Sequence, residues 1–145
     1  MNAIILIELL HAINKKMNKR FAPYAKEKGL SVSEGLVLFR MHVKKACRVT
    51  ELATEIGFSP STLTGLLDRL TEDGWLAREA DPDDRRAVVM RRTEKLTTYV
   101  ETVMRAISDN LQKLFETLPE DLVDRLANDL AVVLSRLEED EESKK

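Results

Sequence analysis

Ser59, Ser61, Thr62 and Thr64 place four hydroxyls within six residues, around Pro60. Ser followed by Pro is a helix start, because the missing N–H of proline costs nothing at the first helical position. The free N–H groups of a first helical turn suit a phosphate. The hydroxyls beside them can bond to base edges, although they discriminate less than bidentate groups, which are worth about 1–3 kcal/mol each. Arg69, a turn or more further on, can reach a phosphate backbone. Farther along, Asp84, Arg85 and Arg86 end a polar, Pro-containing segment, Glu79 to Arg86. Arginine at a loop tip fits a narrow minor groove, where negative potential is concentrated. Asp84 is close enough in sequence to orient one of the arginines. Each cluster alone has an ordinary reading, as a helix cap and as a solvated turn. Their order along the chain carries the argument.

The elements that position these residues follow from periodicity. Apolar residues recur at three and four over 3–18, predicting a helix, with Pro23 set to kink or interrupt its continuation toward Lys28. Ser31 or Ser33 caps a helix over about 34–42, and with Ser31 as cap Glu34 completes a capping box. Leu36, Val37 and Phe39 are expected to face inward. His42 to Arg48 reads as a basic connector. Thr50 is expected to cap a short helix, 51–56, and Gly57-Phe58-Ser59 is a tight turn. The Ser59 helix carries Leu63, Leu66, Leu67 and Leu70 inward and stops at Gly74. Trp75 to Arg78 and Ala87 to Met90 are strand candidates joined by the polar loop. Thr93 caps a long helix over 94–116 with a sustained apolar stripe. Thr117 and Glu120 are expected to box the start of a last helix, 118 to about 138, with a frayed charged tail after it. Two short helices, a turn, then a hairpin spell a winged helix-turn-helix, whose second helix enters the major groove. The fold class is therefore mainly α with a small β-hairpin wing, plus a helical dimerisation region.

Composition bounds the rest. The chain has 145 residues and 33% charged side chains, with a net charge of -2. That suits one domain with a helical extension. The distribution is uneven: residues 1–48 carry ten basic and three acidic groups, and residues 117–145 carry four basic and nine acidic. A phosphate feels the local field rather than the total. One cysteine excludes an intrachain disulfide and any site built on several thiolates. His11 and His42 share no ligand spacing. With no nucleophile–base pair, no metal cluster and no Gly-rich phosphate loop, no enzyme activity, cofactor or metal is expected. The longest apolar run, Ala3 to Ile7, is too short to span a membrane and lacks the flank of a signal peptide, so a cytoplasmic protein without a membrane partner is expected. Cys47, beside Lys44, Lys45 and Arg48, is in a setting that lowers a thiol pKa, yet it reads as a structural thiol.

Glu51-Leu52-Ala53, Ser61-Thr62-Leu63-Thr64 running into Leu67-Asp68-Arg69-Leu70, Gly74, and Asp81-Pro82-Asp83-Asp84-Arg85-Arg86 followed by Thr93 resemble the MarR family (multiple antibiotic resistance regulators) over nearly the whole chain. The resemblance implies a homodimeric transcription regulator, generally a repressor. Residues 32–92 would be the winged lobe, and 1–28 with 93–138 the dimerisation helices, within a single domain 1–145. It places Ser61, Thr62 and Thr64 near bases and sets Arg86 in the minor groove steadied by Asp84, with Arg85 as the variable residue between them. It also implies a small aromatic or phenolic effector near His11, Tyr24, Phe39 and His42, residues that serve equally as ordinary core. Three features depart from the family pattern. Gly65 stands where a larger polar or basic residue is common, Arg92 precedes Thr93 where Leu is usual, and residues 1–20 lack the cysteine of the redox-sensing branch. The function expected is double-stranded DNA binding by a homodimer at a pseudo-palindrome, released by a small molecule. The alternative is a winged-helix protein-interaction module or anti-regulator, with Gly65 and the acidic C-terminal segment as its support.

Overall fold

The computed structural model describes residues 3–144. Six helices and three strands follow one another: α1 (Ala3–Glu27), α2 (Val32–Lys44), β1 (Ala46–Arg48), α3 (Val49–Ile56), α4 (Pro60–Glu72), β2 (Leu76–Ala80), β3 (Val88–Arg92), α5 (Glu94–Phe115) and α6 (Leu122–Ser143). The fold is mainly helical with a small antiparallel wing, as the periodicity predicts. Two compact units divide within α5, one ending at Arg105 and the other beginning at Ala106. No helix among the described residues is long and apolar enough to cross a membrane.

The first unit holds the core. Val37, Leu38 and Met41 of α2, Leu52 of α3, and Leu63, Leu67 and Leu70 of α4 pack with Trp75, Leu76, Met90 and Leu96. Three amphipathic helices and a sheet thus close over one another, each burying one stripe. Trp75 meets Tyr99 edge to face at 5.1 Å, and the Lys95 ammonium lies 4.2 Å above the indole. The strand order is β1-β3-β2, both pairs antiparallel, with Cys47 opposite Met90 and Arg78 opposite Met90 on the other side.

Several local expectations are corrected. α1 runs unbroken through Pro23, which sits inside the helix. Proline removes one N–H from the ladder, yet the helix continues past it to Glu27. Ser31 is the cap of α2, with both halves of the capping box made: the Ser31 amide donates to Glu34 Oε2 at 2.7 Å and the Glu34 amide to Ser31 Oγ at 3.1 Å. That start fixes the phase of the helix. Glu34, Val37, Leu38 and Met41 then share the buried face, and Leu36 and Phe39, expected inside, are exposed. The basic connector contains strand β1, too short for period two to show. Arg48, not Thr50, is the N-cap of α3, without a side-chain bond. The strands lie one or two residues later than expected. Thr117 makes no capping box: its hydroxyl donates to the Leu114 carbonyl, and α6 begins at Leu122 behind Asp121. The charged end continues the helix to Ser143, where Arg136–Glu139 and Lys144–Asp140 pairs at helical spacing support it.

In the second unit, α6 leaves Leu126, Val132, Leu134 and Leu137 exposed. In the first, α1 does the same with Ile4, Ile5, Ile7, Leu9 and Ile13. Scattered exposed leucines need no explanation, but apolar residues at helical spacing along whole helices do.

Candidate nucleic-acid interface

Gly57 ends α3 with φ 76°, and its amide donates to the Ala53 carbonyl at 2.9 Å. This left-handed turn suits glycine and swings the chain into α4. Ser59 caps α4 with Pro60 in its first turn. The Ser59 hydroxyl accepts from the Thr62 amide at 3.3 Å and donates to Thr62 Oγ1 at 2.8 Å. Thr64 donates its hydroxyl to the Pro60 carbonyl at 2.8 Å. Ser59 is therefore occupied with the cap, while Ser61, Thr62 and Thr64 are exposed on the first turns of α4. Leu63, Leu67 and Leu70 bury the opposite face.

Gly65 is on the exposed face too, and a Cβ built there meets nothing within 4 Å. Glycine in a helix interior costs about 0.5–1 kcal/mol against alanine. Gly65→Ala is expected to raise the unfolding free energy by about that amount in a urea titration. No gain would mean that the added methyl is resisted in the folded state.

The wing loop is built by its aspartates. The Asp83 amide donates to Asp81 Oδ1 at 2.9 Å, and the Arg86 amide to Asp84 Oδ1 at 3.0 Å. Each is an aspartate turn bonding two residues on. Asp84 thus steadies Arg86 through its backbone rather than through its guanidinium. Arg85 and Arg86 are exposed, and neither enters an ion pair among the described residues. At the base of the loop Asp81, 6% exposed, takes Arg48 Nε at 2.6 Å. This bond ties the wing to the start of α3.

The Asp83 amide holds the Asp81 carboxyl below the ordinary carboxylate range, partial burial opposes it, and the Arg48 guanidinium assists. A lowered folded-state pKa contributes stability that is complete above the unfolded value of about 3.9 and is lost as pH falls through the folded value. Asp81→Asn should therefore be less stable than wild type at neutral pH, with the gap narrowing once the pH falls below about 3.9. Urea titrations at both pH values check this, and a pH-independent gap would show that the charge is not what matters.

Between α4, the start of α3 and the wing lies a surface groove of about 310 Å³ lined in part by Arg48, Thr50, Thr64, Arg78 and Arg86. Thr64 and Arg86, predicted separately, come together here. Arg48 and Arg78 were missed, one read as connector and the other as strand. Arg48 is neutralised by Asp81, and Arg78 by Asp68 of α4, which leaves Arg86 as the free cation of the groove among the described residues. Arg69 lies apart from the groove lining: its Nε is 3.2 Å from Glu34 Oε1 on α2.

Of the residues expected around an effector, His11 and Tyr24 are on α1 and Phe39 and His42 on α2. His11 is exposed and Tyr24 half-buried. Phe39 packs on Phe21 at 6.2 Å, a neighbour not foreseen. His42 Nδ1 is buried and without a hydrogen-bond partner among the described residues. Burial, then Arg92, lower the His42 pKa, against Glu101. No hydrogen bond or ring contact joins the four to one another among the described residues. Cys47 is buried with Sγ 3.6 Å from the Met41 sulfur. Burial pushes its thiol pKa up, and Lys44 only partly opposes this. The basic neighbours do not activate the thiol, because it points into the core. An aromatic disulfide reagent at neutral pH is expected to react with the native protein far more slowly than with the urea-unfolded chain, and equal rates would contradict the burial.

The family model described as MarR family matches residues 30–88. The HTH-type transcriptional repressor YetL of Bacillus subtilis is 30% identical over 131 residues, covering 81% of this chain and 78% of that one. The chain belongs to the MarR family. MarR-family regulators are not enzymes, and what comes with membership is DNA binding and the regulation of transcription. Among solved structures, wild-type apo MarR from Escherichia coli superposes with a TM-score of 0.70 at 27% identity, covering 89% of this chain and 96% of that one. A mutant of the same MarR complexed with operator DNA superposes with a TM-score of 0.63 at 27% identity, covering 91% and 95%. Among the described residues no cluster of three or more His, Cys, Asp or Glu is arranged to hold a metal.

Proposed function

We propose that the chain is a homodimeric repressor that reads a pseudo-palindromic operator and is released from it by a small aromatic or phenolic ligand. The observation that carries the DNA-reading part is the groove shared by Thr64 of α4 and Arg86 of the wing. Helix and wing face the same duplex: Ser61, Thr62 and Thr64 address base edges in the major groove, while Arg86 enters the adjacent minor groove and Arg85 stays on the phosphates. Ser59 and Asp84 hold the two segments in shape.

The exposed apolar faces of α1 and α6 support the dimer. In this reading residues 32–92 form the DNA-binding lobe, while 1–28 and 93–138 supply the dimer contacts. A two-fold dimer sets half-sites one helical turn apart, about 34–36 Å. The ligand reading rests on His42, whose Nδ1 is buried and without a hydrogen-bond partner among the described residues. A ligand needs only a few kcal/mol of differential affinity to shift the lobes between two spacings.

The test is selection of bound duplexes from a random pool at 0.15 M salt, followed by sequencing. Recovery of a two-fold symmetric site is the expected result. No enrichment by folded protein would instead favour a winged-helix protein-interaction module.

A further inference from the structure

We propose that Glu34 is a positioning residue for DNA recognition: by holding Arg69 it fixes the roll of α4 and so the direction of Ser61, Thr62 and Thr64. This rests on the reading of α4 as the recognition helix. What fastens α4 to the core is the stripe Leu63, Leu67 and Leu70. Apolar contact is non-directional, and by itself tolerates small rolls of a helix on its neighbours. The directional side-chain contacts from the second half of α4 to other elements are ion pairs. Asp68 engages Arg78 of β2, and Arg69 Nε lies 3.2 Å from Glu34 Oε1 of α2. Adjacent helical residues point about 100° apart, so the two pairs resist roll in different directions.

The pairs are unequal. Asp68 and Arg78 are both well exposed, where an ion pair is worth little. Arg69 is exposed as well, at 62%, but Glu34 is only 1% exposed, and its carboxylate has two partners, the Ser31 amide and Arg69. Releasing Arg69 would leave the buried carboxylate with the Ser31 amide as its remaining partner. One carboxylate thus joins the start of α2 to the recognition helix. Arg69, expected on the DNA backbone, then acts through orientation.

A capping box accepts glutamine as well as glutamate at its third position. Glu34→Gln therefore keeps the cap and loses the ion pair, which separates this role from helix capping. The probe is the duplex that the wild type enriches, titrated in 0.05–0.2 M KCl with the full chain. E34Q and R69A are each expected to weaken binding about tenfold, and the double variant no further than the weaker-binding single. The slope of log affinity against log salt is expected to stay at the wild-type value in both, since no phosphate contact is lost. Lowered affinity in E34Q with an unchanged slope is not what mere destabilisation gives when the protein is still folded at the assay temperature. R69K, which keeps the charge without the guanidinium fork, makes the same comparison if E34Q does not fold. E34Q binding like wild type, or R69A alone flattening the slope by about 0.9 per phosphate contact, would overturn the proposal. In DNA-free protein, the backbone amide resonances of Ser61 to Gly65 should move together in E34Q and R69A, and unmoved resonances would also overturn it. That measurement stands even if the wild type enriches no duplex, the result that would sink the DNA reading itself.

Discussion

Replacing Arg86 with alanine is expected to weaken binding to the selected duplex by about thirtyfold or more while leaving the dimer intact. Arg86 lines the groove with Thr64, and no carboxylate holds its guanidinium among the described residues. A base-edge contact by an arginine is worth about 1–3 kcal/mol, and a dimer inserts two wings. A loss of about 2 kcal/mol in total corresponds to roughly thirtyfold in affinity. Stability should hardly change, because an exposed, unpaired side chain leaves no cavity and orphans no partner. Fluorescence polarisation with the selected duplex gives the affinity, and sedimentation gives the assembly. An R86A titration superimposable on wild type would remove the wing from the interface. Asp84→Ala offers a graded comparison. It deletes the acceptor of the Arg86 amide but keeps the guanidinium, so a smaller loss than that of R86A is expected.

The parts that were legible in the sequence are those set by local chemistry. Ser59-Pro60, Gly57 and the Ser31–Glu34 box each solve a problem of unpaired backbone groups within four residues; the first two formed as read, and the third followed once Ser31 rather than Ser33 took the cap. The hairpin was legible because Asp81 to Arg86 cannot continue a strand. Illegible parts depend on neighbours far along the chain. β1 exists because β3 pairs with it, Arg92 donating its amide to the Lys45 carbonyl at 2.9 Å. Three residues carry no period of their own. Leu36 and Phe39 misled because apolar type does not reveal phase, and α2 has two apolar faces of which only one meets the core. Arg48, Arg69 and Arg78 have identical side chains in the sequence, and only their acidic partners, Asp81, Glu34 and Asp68, distinguish tether, brace and groove wall. Cys47 is the structural thiol that was expected, although its basic neighbours in sequence suggest otherwise: its side chain is buried, with Met41 as its spatial neighbour.

Leu134→Glu is expected to convert the dimer to a monomer and to abolish tight binding to a two-fold site. Leu134 is 56% exposed on α6 within the single chain. If the chain functioned as a monomer, a charge at that solvated position would change stability by no more than about 0.5 kcal/mol. In a dimer the same carboxylate would be buried against apolar side chains without a partner, which costs several kcal/mol and occurs twice by symmetry. The leucine contact itself, about 1.5–3 kcal/mol per buried side chain, is lost as well. These terms exceed what separates a micromolar dimer from a monomer at working concentration. Sedimentation velocity should therefore give half the wild-type mass, and the unfolding midpoint should no longer rise with protein concentration, as it does for a linked dimer. A monomer keeps one α4 and one wing, so it should retain weak, salt-sensitive binding to any duplex while losing its preference for paired half-sites. Wild-type mass and midpoint in L134E would mean that α6 faces solvent in the functional protein, and the two-fold operator would then need another interface to explain it.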